Sequence, residues 1–204
     1  MSEGAPGGVP ALPPEETARA ALYALLARLF YAGPDADLLA AIASADEMAG
    51  AGESALTRAW HALQAASAAI DPLAARQEYD ELFVSVGQAP VSIYASHYLS
   101  ESWKEHTLVN LRDELARLGL ARQPGAVEPE DHLAGLLDVM RHLILSAALA
   151  DAAAQEGFFR SYLAPWYRRF GAAVAGEARA NYYRRAAELL VAFLDIDVEC
   201  FQIA

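Results

Sequence analysis

The chain has 204 residues, enough for one substantial domain, and its composition of 55% hydrophobic and 21% charged residues, dominated by alanine and leucine, is typical of packed helices. Its formal net charge of -12 argues against nucleic-acid binding, because a phosphate-binding surface needs lysine and arginine to displace counterions. The single cysteine, Cys200, excludes an internal disulfide framework, and charged or amide residues interrupt every apolar run that could otherwise predict a membrane span.

The N-terminal residues 1–14 predict a disordered lead-in, because glycine and proline are frequent there and neither a basic start nor an apolar core indicates a secretory signal. We therefore predict a cytoplasmic protein. Residues 15–204 predict a single all-helical domain. Its first helix carries an apolar stripe at i, i+3, i+4, i+7 and i+8, formed by Leu22, Leu25, Leu26, Leu29 and Phe30.

Proline and glycine divide the rest of the chain into further helices, and no hairpin signal indicates strands. A non-helical stretch, VSVGQAPVSI, follows the fourth helix, and a hinge-like loop is expected near residues 119–128. The pattern predicts an all-α domain of seven to nine helices. The later helices are expected at about 34–49, 54–70, 72–83, 97–118, from 129 onward, 157–175 and 178–194.

The stretch EPEDHLAGLLDVM begins one of these helices with acids and a histidine. We predict that Glu128 caps this helix and that Asp131 lies near the positive end of the helix dipole. Asp131 is expected on the polar side of the helix, together with Asp138 and His142. His132 is expected at the edge of the apolar stripe. Acids at a helix start need no function beyond capping. The alternative is a carboxylate and an imidazole that bind a guanidinium or a peptide backbone.

Catalytic and metal-binding motifs are absent from the sequence. The five histidines include no pair at i, i+3 or i, i+4, so no helix presents a two-histidine metal clamp. There is also no nucleophile elbow, phosphate loop or dinucleotide fingerprint. We predict no catalytic residue, no metal and no cofactor. Tyr94 and Tyr98, with Ser96 between them, could instead line a peptide groove or belong to the core.

Three blocks in this order resemble the TorD/DmsD family of redox-enzyme maturation chaperones. The first block consists of Tyr79, Leu82, Phe83, Gly87, Pro90, Tyr94, Ser96 and Tyr98. The second consists of Glu128, Pro129, Asp131, His132, Leu133, Leu137 and Met140. The third consists of Gln155, Phe158 or Phe159, Leu163, Pro165, Trp166, Phe170, Tyr182 and Tyr183.

The resemblance implies a TorD-like helical fold and a cytoplasmic, non-enzymatic chaperone for a molybdopterin-containing oxidoreductase. Such a chaperone binds the twin-arginine leader of its client and the apoenzyme until the cofactor is inserted. The residues expected to bind the client are Tyr94, Ser96, Tyr98, Glu128, Asp131 and His132. Those expected to support the family fold are Tyr79, Leu82, Phe83, Pro90, Pro129, Pro165 and Trp166.

Two other functions remain open at this point. One is a small helical enzyme with His132 as general base, and the other is an assembly subunit retained in the oxidoreductase complex. The sequence also leaves open the identity of the client, contact with a nucleotide or with the molybdenum cofactor, and assembly into a homodimer, which a swap at the hinge-like loop could produce.

Overall fold

The computed structural model describes residues 12–46, 54–84, 89–99, 101–121, 128–146 and 152–203, except for the side chains of 101–107 and 203, and these residues contain ten α-helices. The all-α prediction is confirmed. A π-helical turn, Asp80–Val84, continues the fourth helix. The helices are α1 Pro14–Tyr31, α2 Ala36–Ala43, α3 Ala55–Ala69, α4 Pro72–Tyr79, α5 Ala95–Tyr98, α6 Glu101–Arg117, α7 Leu133–Leu145, α8 Ala152–Tyr162, α9 Tyr167–Gly176 and α10 Tyr182–Ile203.

Two local features raise the number of described helices above the predicted seven to nine. The short helix α5 was expected to be part of α6, and the helix expected at 157–175 is two helices, α8 and α9. The turn between α8 and α9 contains Pro165, which has no N–H to continue the helical hydrogen-bond pattern. The indole N–H of Trp166 donates to the carbonyl oxygen of Tyr162 at 2.6 Å and so satisfies one terminal carbonyl of α8.

The predicted lead-in and hinge-like loop fall mainly on residues 1–11 and 122–127, which lie outside the described residues. Helix α1 already begins at Pro14, whose missing N–H suits the first turn of a helix. Helix α6 is followed by Gly119, which adopts a left-handed φ of 72° that glycine tolerates without strain.

The core lies between two sets of helices. Helix α1 packs along α7, which in turn contacts α8, while α10 packs against α3 and α9. The apolar stripes predicted for α1 and α7 face this core, although Leu22 and Leu25 are only partly buried. The fully buried members of the two stripes are Leu26, Leu29, Phe30, Leu133, Leu136, Leu137, Met140, Leu143 and Ile144.

Two tyrosine hydroxyls fix the C-terminal end of α1. The hydroxyl of Tyr79 donates to the carbonyl oxygen of Tyr31 at 2.8 Å, and that of Tyr183 donates to the carbonyl oxygen of Leu29 at 3.0 Å. These carbonyls lack partners within the helix, so the tyrosines satisfy them from α4 and α10. Just beyond, Gly33 lies so close to α4 that a Cβ there would meet the Cα of Arg76 at 2.7 Å. The backbone around Tyr31 is therefore held in one place.

Glu78 caps α10 from another helix. Its carboxylate accepts hydrogen bonds from the backbone N–H groups of Asn181, Tyr182 and Tyr183, at 2.8, 3.0 and 2.8 Å. A carboxylate at this position complements both the unpaired amides and the positive end of the helix dipole. The contact joins α4 to the start of α10.

A buried ion pair joins α1 to α10 at the other end of that helix. The guanidinium of Arg19 donates to both carboxylate oxygens of Asp197, at 2.9 and 3.0 Å, and Asp197 is 1% exposed. The hydroxyl of Tyr23 also donates to this carboxylate. Gln155 of α8 accepts a further hydrogen bond from Arg19 at 2.6 Å. Three helices are thus tied together by one guanidinium.

Within the described residues, none of the helices has both the length and the apolarity that crossing a bilayer requires.

Candidate functional site

The aromatic segment at 94–98 and the acidic segment at 128–132, which carry the six residues expected to bind the client, meet in space. Tyr94 and His132 form an isolated antiparallel bridge. Two backbone hydrogen bonds of 3.0 Å flank this bridge. The N–H of Leu133 donates to the carbonyl oxygen of Ile93, and the N–H of Ala95 donates to the carbonyl oxygen of Asp131. The starts of α5 and α7 therefore form one backbone-bonded unit, called here the junction site.

Asp131 fixes this unit and is buried. Its Oδ2 accepts a hydrogen bond from the backbone N–H of Ser96 at 2.9 Å, in the first turn of α5, and the residue is only 2% exposed. The prediction that Asp131 lies on the polar side with Asp138 and His142 is wrong. Those two are exposed on α7, but Asp131 belongs to the turn before α7 and points back to α5.

His132, and not Glu128, is the N-cap of α7. Its Nδ1 accepts a hydrogen bond from the N–H of Ala134 at 3.2 Å, so the helix begins at Leu133 rather than near Pro129. His132 is 4% exposed, so it is buried and not at the edge of the apolar stripe as predicted, and its ring lies 5.3 Å from that of Tyr94 in a T-shaped arrangement. Burial lowers the pKa of His132 below its usual 6.5, against a smaller opposing effect of Glu128 and Asp131.

We expect the stability provided by this cap to depend on pH. The folded pKa of His132 is lowered, so the unfolded chain binds more protons once the pH falls below about 6.5, and the folded state loses stability on acidification. Replacing His132 by asparagine, which can still cap, removes this titration. Urea denaturation at pH 8 and pH 5 measures the free energy of unfolding of both proteins. The advantage of the wild type over His132→Asn should be smaller at pH 5 than at pH 8.

His142→Asn, on the exposed face of the same helix, controls for the loss of an imidazole from α7. If the free energies of unfolding of wild type and His132→Asn differ by the same amount at pH 8 and pH 5, the role of a neutral His132 as the cap is contradicted.

Glu128 is half-buried, and its carboxylate accepts a hydrogen bond from the hydroxyl of Tyr94. Burial, followed by the hydrogen bond and the charge of Glu128, raises the pKa of Tyr94 well above its usual value, so this hydroxyl remains a donor. The carboxylate of Glu128 has room for further donors, because an ionised carboxylate can accept about four hydrogen bonds.

The third acid of the stretch, Glu130, forms a bidentate pair with Arg112 of α6. The guanidinium Nε and Nη2 lie 3.1 Å from the two carboxylate oxygens of Glu130. This ion pair joins α6 to the turn that precedes α7.

Tyr98 and Ser96 have different surroundings from the other site residues. The hydroxyl of Tyr98 donates to the carbonyl oxygen of Ser92 at 2.8 Å, and its ring stacks on Trp166 at 5.4 Å. Burial raises the pKa of Tyr98 to about 12. Tyr98 therefore anchors the aromatic segment to the core, while Ser96 contributes its backbone N–H to Asp131.

Tyr31 is a site residue that the sequence reasoning missed. It is the last residue of α1, its side chain is 64% exposed, and its ring lies 6.4 Å from that of His132. In the sequence, Tyr31 falls on the face of α1 opposite the apolar stripe, and this off-stripe aromatic, close to the helix-ending Gly33 and Pro34, is the signal that could have singled it out.

The motif residues that were expected to support the fold are mainly interior. Tyr79, Leu82, Phe83 and Trp166 are buried, whereas Pro90 and Pro129 are exposed at the two segments and Pro165 is half-buried. Gly87 lies outside the described residues.

A separate groove of about 490 Å³ lies between α3, α9 and α10. Alanines and Gly171 form much of its surface, with charged residues such as Arg58 and Glu188 among its lining. No residue of the junction site lines it. The described ranges contain no group of three or more histidine, cysteine, aspartate or glutamate side chains that could hold a metal ion.

The sequence model of the family described as "Nitrate reductase delta subunit" matches residues 50–172, which is more than half of the chain. The chain belongs to this family. Similar proteins are named TorD, so the resemblance of the three sequence blocks to the TorD/DmsD family is confirmed.

Three relatives are each named "Chaperone protein TorD". The protein of Shewanella loihica is 27% identical over 91% of this chain and 94% of its own length. That of Pasteurella multocida is 28% identical over 60% of this chain and 61% of its own length, and that of Aeromonas salmonicida is 30% identical over 52% of each. Except for the Shewanella protein, these matches span less than two thirds of the relative. The relatives are named as chaperones and not as enzymes, which agrees with the prediction that this family member is not an enzyme.

Proposed function

We propose that this member of the family is a cytoplasmic chaperone that binds the twin-arginine leader and the apoenzyme of a molybdopterin-containing oxidoreductase until its cofactor is inserted. The observation that carries the proposal is the backbone bridge between Tyr94 and His132, which joins the aromatic and the acidic segments into one site. The names of the relatives support the chaperone role.

The chemistry of the junction site suits an arginine-bearing peptide. Glu128 offers a half-buried carboxylate, and the exposed ring of Tyr31 and the edge of Tyr94 lie around the same imidazole. A guanidinium can form charge-assisted hydrogen bonds with a carboxylate while its flat face packs on an aromatic ring. The apolar stretch of a leader would then extend over the neighbouring aromatic surface.

The three acids have separate roles in this proposal. Asp131 is buried on the backbone of α5 and positions the site, and Glu130 is held by Arg112. Glu128 is the acid that would receive an arginine of the leader, in exchange for or beside the hydroxyl of Tyr94.

Replacing Glu128 by glutamine should weaken leader binding about fivefold, because an ion pair at a half-buried carboxylate that water still reaches contributes about 1 kcal/mol. Isothermal titration with a synthetic peptide that carries an Arg–Arg pair before an apolar stretch measures the affinity. The affinity of the wild type should also fall as salt is raised, since the attraction is partly ionic.

Asp138→Asn is the matched control, because it removes an acid from the exposed face of α7. Equal affinities for wild type and Glu128→Gln, together with binding that is insensitive to salt, would contradict the proposed role of Glu128.

An enzyme with His132 as general base is less well supported. The Nδ1 atom of His132 already accepts the N–H of Ala134, and the ring is buried with a lowered pKa. A general base needs a free nitrogen within reach of the substrate proton.

An assembly subunit that stays in the finished oxidoreductase is a second candidate, and the family description "Nitrate reductase delta subunit" is the observation that favours it. Co-purification separates the two functions. A chaperone associates with the cofactor-free precursor and is missing from the exported holoenzyme, whereas a retained subunit is found in both.

A further inference from the structure

We propose that the Arg112–Glu130 ion pair is an autoinhibitory contact, in which a guanidinium of the chain itself occupies a carboxylate that an arginine of the bound leader would use. The inference rests on the proposed function, and it adds Glu130 as a second receptor for a guanidinium.

The geometry of the pair is that of arginine recognition. Both contacts between the guanidinium and the carboxylate measure 3.1 Å, and they form two parallel hydrogen bonds. This fork arrangement is the one by which proteins select arginine over lysine. Glu130 therefore already shows how the acidic segment holds a guanidinium.

The location of the pair is unlike that of most other ion pairs in the described ranges. Several of those join residues three or four positions apart on one helix, such as Arg141 with Asp138 and Arg185 with Glu188. Arg112 instead reaches from α6 to a residue 18 positions away, in the turn that carries Glu128 and Asp131. An ion pair at that turn changes the charge that an approaching peptide meets.

The pair is also weak enough to exchange. The side chain of Arg112 is 57% exposed, while that of Glu130 is 13% exposed. Arg112 is the solvent-exposed partner, so an incoming arginine can take its place on the carboxylate and the number of ion pairs stays the same. The displaced guanidinium returns to water on a long flexible side chain, and Glu130 remains paired throughout.

Arg112→Gln tests this idea, because it removes the guanidinium that forms the bidentate pair and leaves Glu130 in place. We expect the variant to bind the synthetic Arg–Arg leader peptide about two- to fivefold more tightly than the wild type, which corresponds to the loss of one exposed ion pair. A peptide with glutamines in place of both arginines should not gain affinity.

Arg117→Gln is a matched control on the same helix. Arg117 also forms a bidentate pair, with Glu114 at 3.1 and 2.6 Å, but its partner lies within α6. This variant should bind the leader peptide with the affinity of the wild type.

Three outcomes separate the hypotheses. Equal or weaker binding by Arg112→Gln, with the wild type still binding the Arg–Arg peptide, overturns the autoinhibitory contact and leaves the proposed function standing. If Arg112→Gln also binds the peptide with glutamines more tightly than the wild type does, the effect is one of general charge, and the autoinhibitory contact is again overturned. Failure of every variant and of the wild type to bind the peptide overturns the proposed function and this inference together.

Discussion

Replacing Asp197 by asparagine should lower the free energy of unfolding by about 3–5 kcal/mol. The substitution keeps the shape of the side chain but removes the charge that pairs with Arg19 inside the protein. The side chain of Arg19 is itself only 15% exposed, and the acid left beside it would be the more exposed Glu16, at 3.2 Å. Urea denaturation followed by circular dichroism measures the loss.

The size of this effect is a large part of the total stability, because domains of this kind are stable by only about 5–15 kcal/mol. Glu188→Gln is the control, since Glu188 pairs with Arg185 on the surface of the same helix and its loss should change the free energy of unfolding by less than about 1 kcal/mol. Similar small losses in both variants would show that the ion pair between α1 and α10 does not hold the fold together.

Replacing Asp131 by alanine should weaken binding of the leader peptide at least about tenfold and lower the free energy of unfolding by about 1–3 kcal/mol. The alanine leaves the N–H of Ser96 without its acceptor, so α5 is no longer held against the turn before α7. The arrangement of Tyr94 and Glu128 around the buried His132 would then be lost.

Asp131→Asn distinguishes positioning from direct contact. Asparagine keeps an oxygen that can accept the N–H of Ser96 but has no negative charge. If Asp131 acts through α5, this variant should keep most of the stability and most of the affinity for the peptide. A stable asparagine variant that binds as poorly as the alanine variant would show instead that the charge of Asp131 meets the arginine.

The sequence was sufficient to predict the helical fold, because the stripes of α1 and α7 repeat at the helical period and proline marks most boundaries. The aromatic and acidic segments were linked only through the resemblance to a family, which assigned residues of both to client binding. The short helix α5 has too few residues to show a helical period, whereas Pro165 is a helix-breaking signal that the expected single helix at 157–175 ignored.

The separate roles of the acidic residues around the start of α7 could not be predicted from their spacing in the sequence. Asp131 and Asp138 look equivalent on a helical projection, but the first precedes the helix and pairs with a backbone N–H from a distant segment. Likewise, Arg112 lies on a polar stretch of α6, and its partner Glu130 is fixed only by tertiary packing. Long-range hydrogen bonds and ion pairs leave no periodic signature in one sequence.

Hydrogen exchange with and without the synthetic Arg–Arg leader peptide tests the central claim, that α5 and the turn before α7 together form the peptide-binding site. The account predicts that the peptide slows exchange in residues 94–98 and 128–134 together. Slowed exchange confined to the groove between α3, α9 and α10, with no change at residues 94–98 and 128–134, would contradict it.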